Sequence, residues 1–147
     1  MADRIEKSVS LKSSIEQVWD AITDHRKFGE WFRVDLHQPF VEGQTSHGQM
    51  TYPGYEHFKW ESRTIAIVPK SYFSFVWYHD NLETGPDTPR LETLVEFKLR
   101  PDGNGTQLTI IESGFDDFPP EVGKVALESN TGGWEEQISN IRKFVDG

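Results

Sequence analysis

Apolar residues recur along this chain with two different periods, and the changes of period divide it into a helical opening, an extended middle and a helical end. Ile5, Val9 and Leu11 stand among charged and hydroxyl residues, the pattern of a first strand. Ile15, Val18, Trp19 and Ile22 then follow at helical spacing. Ser13 or Ser14 offers the N-cap, and Glu16 and Gln17 are placed for a capping box. Thr23-Asp24-His25 closes that helix. Phe28, Trp31 and Phe32, spaced i, i+3, i+4, predict a second short helix with an aromatic inner face.

From residue 34 to residue 113 the period shortens to two, and strands are predicted at 34–36, 40–42, 48–52, 57–68, 71–79, 91–100 and 106–113. The clearest alternation sets Leu91, Thr93, Val95, Phe97 and Leu99 against Glu92, Glu96, Lys98 and Arg100, a strand with one wet face. Pro101-Asp102-Gly103-Asn104-Gly105 is a turn, so this strand folds back on 106–113 as a hairpin. Phe73, Phe75, Trp77 and His79 share one strand face, a wall of rings, and 81–90 reads as an exposed loop.

After Phe115 the alternation stops. Pro119-Pro120 marks a break, a short helix is predicted at 121–129, and Thr131-Gly132-Gly133 separates it from a terminal helix. Trp134, Ile138, Ile141 and Val145 form that helix's apolar stripe. The element order predicts an α+β fold over residues 1–147 as one domain, with helices gathered on one face of an antiparallel sheet.

Composition adds material for a core and removes several functions. Ten phenylalanines, five tryptophans and four tyrosines in 147 residues must be packed or left lining a cavity. A net charge of −9, spread along the chain, repels phosphate backbones and anionic lipid, which argues against nucleic acid as a partner. The absence of cysteine excludes disulfides and thiolate chemistry. The opening residues lack the apolar core of a secretory signal and no segment is apolar enough for insertion in a membrane, so a cytoplasmic location is expected.

Several segments together resemble the SRPBCC or START-like superfamily, and within it the family named for the heat-shock protein 90 ATPase activator. They are 14–24, Phe28 with Trp31-Phe32, 67–70, 94–101 with 105–109, Glu112-Ser113-Gly114-Phe115 and Gly133-Trp134. The resemblance implies a helix-grip fold, in which a curved antiparallel sheet of about six to seven strands wraps a long C-terminal helix, with two short helices after the first strand. It also implies a cavity between sheet and helix that in relatives holds lipids, polyketides or other apolar molecules. Superfamily members include carriers, sensors, cyclases, hydrolases and chaperone cofactors, so fold does not choose the chemistry.

The candidate ligand-binding residues are the rings Trp31, Phe32, Trp60, Phe75, Trp77, Phe115, Phe118 and Trp134, with His79 and Glu112 as polar groups on strands. Filling of the core is the competing reading of the rings, and for Trp134 the favoured one. His57 and Arg63 also fall on predicted strands, where an inward polar side chain needs a partner or a ligand. Residues 115–120 are either a lid over the cavity or a static connector.

No metal-ligand spacing, phosphate loop, dinucleotide fingerprint or nucleophile elbow is present, and no cofactor is expected. Three readings follow: an apolar-ligand binding protein, which is favoured; a cyclase or hydrolase using His79, Glu112 or Arg63 around a carbonyl; and an interaction module for the chaperone.

Overall fold

The computed structural model describes residues 4–79 and 90–147. Seven antiparallel strands form one sheet: β1 (Arg4–Leu11), β2 (Val34–Leu36), β3 (Thr45–Met50), β4 (Lys59–Val68), β5 (Tyr72–Tyr78), β6 (Glu92–Asp102) and β7 (Gly105–Ser113). Their order is β1-β7-β6-β5-β4-β3-β2, a meander in which only β1 is out of sequence. Helices α1 (Ile15–Thr23) and α2 (His25–Phe32) follow β1, and α3 (Pro120–Asp146) ends the chain. A 3-10 turn at Phe115–Asp117 joins the sheet to α3. The α+β helix-grip expectation holds. Residues 81–89 of the expected loop lie outside the described residues.

Local chemistry accounts for the helix boundaries. Ser14 caps α1, accepting from the Gln17 amide while Gln17 Oε1 receives the Ser14 N–H, a complete capping box. Asp24 ends α1 and also begins α2, where its carboxylate accepts from the amides of Arg26 and Lys27 at 2.9 and 3.1 Å. Those two donors hold the Asp24 carboxyl below its ordinary range. The short two-helix element is thereby set against the sheet with Phe28, Trp31 and Phe32 buried.

The sheet curves around this helical layer. A register shift between Thr64 and Ala66 places Ile65 in a bulge, and bulges bend the strand that carries them. Inward rings of β4, β5 and β6 meet the helices through Phe28, whose ring lies 4.8–6.4 Å from those of Trp31, Phe32, Phe40, Trp60, Phe75 and Phe97. This aromatic hub is the centre of the core.

Two expected elements differ. Residues 40–42 are not a strand: Phe40 turns its ring into the core, and Gly43 at φ 81° makes a turn whose amide reaches Thr64 O. The helix expected at 121–129 and the terminal helix are one element of 27 residues, roughly 40 Å long. Gly132 and Gly133 sit inside it, each weakening the helix by about 1 kcal/mol relative to alanine. The helix continues because Ala126, Asn130, Trp134, Gln137 and Ile141 lie on one face and are held by tertiary contacts on both sides of the pair. No helix among the described residues is long and apolar enough to cross a membrane.

Candidate functional site

Between the middle of α3 and strands β3 to β5 lies a cavity of about 390 Å³. That volume is within the range of small-molecule sites. Its inner wall is the rings of Phe32, Trp60, Trp77 and Trp134. Trp60 and Trp77 stand 5.0 Å apart, and Trp134 meets Phe32 and Trp77 edge-on at 5.9 and 6.3 Å. Tyr52, Tyr55 and Phe58 of the β3–β4 loop form a second aromatic side, T-shaped upon one another at 5.5 to 5.7 Å. Gly132 and Gly133 are exposed on the rim, and a Cβ built on either meets nothing within 4 Å.

The expected rings divide between the cavity and the core according to their place along the sheet and helices, since Phe75 and Trp77 share one face of β5 and only Trp77 reaches the cavity. Phe32, Trp60, Trp77 and Trp134 do. Trp31 is buried on α2 with its indole N–H donated to Ala21 O at 2.9 Å, and Phe75 is enclosed by Phe28, Phe40 and Phe73. Phe115 and Phe118 pack on each other beneath the 3-10 turn and touch the ring of His79 at 6.4 and 5.3 Å. Both are buried, so 115–118 has the packing of a connector.

A buried polar network lies at one end. Glu112, on β7, has no exposed surface. Its Oε1 accepts from Trp134 Nε1 at 2.9 Å and from Asn130 Nδ2 at 3.0 Å, and its Oε2 accepts the Thr93 hydroxyl at 2.6 Å. His79 Nε2 lies 2.8 Å from that hydroxyl and 3.4 Å from Oε2. Thr93, Asn130 and Trp134 all donate to this carboxyl group. Strands β6 and β7, helix α3 and the residue that follows β5 are tied together at this one side chain. His79 and Asn130 also line the cavity, so the network has a face toward a ligand.

Arg63 and His57 do not join it. Arg63 alternates with inward Ser62 and Thr64 and faces solvent, and His57 is exposed in the β3–β4 loop against Phe58. The trio of His79, Glu112 and Arg63 around one carbonyl is therefore not assembled. At the other end, Tyr52 donates its hydroxyl to Glu136, which raises the Tyr52 phenol above its ordinary range, and Arg33 lies 5.3 Å from the Tyr52 ring centre.

Lining residues that sequence reasoning missed have separate causes. The aromatics Tyr52, Tyr55 and Phe58 sit in a Pro-Gly turn segment, and the surplus of rings in a turn is a signal that was readable. Asn130 was hidden by the break expected at Gly132-Gly133. Only in a continuous helix are Asn130 and Trp134 one turn apart and aimed at the same carboxylate.

A cavity gripped between a curved sheet and a C-terminal helix defines the helix-grip class. Residues 12–146 match the family model described as Activator of Hsp90 ATPase homolog 1-like protein, and the chain belongs to that family. Among solved structures, it resembles protein MLL2253 from Mesorhizobium loti with a TM-score of 0.79 and 20% identity, covering 97% of this chain and 96% of that one. DynU16, a putative protein in the dynemicin biosynthetic locus, is matched with a TM-score of 0.74 and 21% identity over 99% of this chain; the match spans 48% of DynU16. The Aha1 dimer from Colwellia psychrerythraea is matched with a TM-score of 0.68 and 17% identity, over 97% and 95%. No curated protein sequence matches.

Proposed function

We propose that this protein binds an apolar, ring-containing small molecule in the cavity between β3–β5 and α3. The observation that carries the reading is the cavity of about 390 Å³ walled by three indoles and Phe32, with His79 and Asn130 at one end and Tyr52 and Glu136 at the other. Rings supply buried area and edge-to-face contacts, and a few polar groups orient the guest. Two rim positions carry no side chain at all. Membership of a family with this fold supports the reading, as does structural likeness to a protein of a biosynthetic locus, at the level of fold.

Trp60, Trp77 and Trp134 make the test direct, because an aromatic guest against them quenches indole fluorescence. Titration with 1-nitronaphthalene is expected to quench saturably at one molecule per chain. Gly133→Phe, on the open rim, is expected to fold and to weaken that binding. Undiminished, saturable binding by the variant would place the guest elsewhere, and unsaturable quenching would sink the proposal.

A further inference from the structure

We infer that His79 is a proton-accepting anchor in this cavity and that the guest it selects is an apolar ring carrying an acidic hydroxyl, a phenol or enol. The inference rests on the proposed binding cavity and names the class of molecule that fits its His79 end.

Glu112 is enclosed, and its oxygens only accept. Thr93 has one hydroxyl hydrogen, and at 2.6 Å that hydrogen goes to Glu112 Oε2. The 2.8 Å contact between Thr93 Oγ1 and His79 must then be donated by His79 Nε2. This relay defines the tautomer. Nε2 carries hydrogen, and Nδ1 is the ring nitrogen outside the relay. The imidazole is held on edge between Trp77 at 5.4 Å and Phe118 at 5.3 Å, with 9% of its side chain exposed, and it lines the cavity.

A hydroxyl on the guest satisfies Nδ1 with the proton in either place. With neutral imidazole the guest O–H donates to Nδ1. If the proton crosses, the O–H bond breaks and an N–H bond forms on Nδ1. The imidazolium then stands between the guest oxyanion and the Glu112 carboxylate, joined to the latter through Thr93. No further reactant is needed, and the charge developed on the ring faces a carboxylate already buried beside it. An ether or a hydrocarbon offers Nδ1 no hydrogen, and leaving a nitrogen of so nearly buried an imidazole unpaired weakens binding.

The test uses 4-nitro-1-naphthol, whose neutral and ionised forms absorb at different wavelengths, and 1-nitronaphthalene, which lacks the hydroxyl. The intact protein is expected to bind the naphthol about tenfold more tightly, the worth of one hydrogen bond to a buried polar group. In a buffer acidic enough to keep the free naphthol protonated, the bound naphthol is also expected to be more ionised than the free compound. His79→Phe keeps a ring against Phe118 and is expected to abolish both differences while still binding 1-nitronaphthalene. Should that variant not fold, Thr93→Val breaks the relay and is expected to lower the ionised fraction. Equal affinities with an unshifted spectrum in the intact protein would overturn the role of His79 and leave the cavity standing. Binding of neither compound would overturn the cavity reading itself.

Discussion

Glu112 illustrates how one residue decides more than its own environment. Removing a carboxylate from water costs several kcal/mol unless its lone pairs are engaged, and here Thr93, Asn130 and Trp134 engage them. Glu112→Gln keeps the shape but turns one oxygen into a donor that faces other donors. We expect a loss of roughly 2–4 kcal/mol in urea unfolding. A loss below 0.5 kcal/mol, the scatter of ordinary surface changes, would show that the network relaxes freely. Phe28 is the apolar counterpart, touching six other rings. Phe28→Ala is expected to cost about 3–5 kcal/mol through the lost contacts and the cavity it leaves. Neither role was readable in the sequence. Glu112 alternates along its strand like any half-buried polar residue, and its partners come from positions 79, 93, 130 and 134.

At the scale of the element, α3 shows tertiary contacts overriding local preference. Thr131-Gly132-Gly133 has the composition of a helix boundary, yet the helix runs through it, and the Thr131 hydroxyl returns to Leu127 O at 2.6 Å. The glycines are there without any crowding to demand them, since an added Cβ touches nothing. Gly132→Ala is therefore expected to stabilise the protein by about 1 kcal/mol, read as a higher urea midpoint at constant slope. Destabilisation would mean that the rim is closer than its geometry shows. Gly123 behaves oppositely: a Cβ there would lie 3.0 Å from Phe115 O and 3.2 Å from Phe118 Cβ, so alanine at 123 would push α3 off the 3-10 turn. Where composition and periodicity agree, as in the capping box of α1 or the β6–β7 hairpin with Gly103 at φ 61°, the sequence reading matches the structure.

Across the whole molecule, the two ends of the described chain are fastened together. β1 pairs with β7 along its full length, and Asp146 at the end of α3 accepts from the amides of Lys12 and Ser13 and from the Ser13 hydroxyl. Partial burial pushes the Asp146 carboxyl up, and those hydrogen bonds outweigh it, leaving the group below its ordinary value of 3.8. A carboxyl depressed in the folded state contributes stability that is present above 3.8 and is lost as pH falls through the folded value. Asp146→Asn is expected to lower stability by on the order of 1 kcal/mol at neutral pH, with the difference from the intact protein shrinking in acid. A difference independent of pH would assign the effect to packing of the helix end.

The sequence by itself determined the class of fold, the strands of the meander apart from the one expected at 40–42, the two short helices with the cap of the first, and the rings that supply the core. These depend on periods of two and 3.6 and on turn chemistry, which act between near neighbours. The tertiary structure alone decided that α3 is one helix, that Trp31 and Phe75 fill the core while Trp60, Trp77 and Trp134 line a cavity, and that His79, Thr93 and Glu112 form one relay. The physical reason is that burial and hydrogen bonding across strands depend on register and curvature. Those are properties of the whole sheet, and no local pattern carries them.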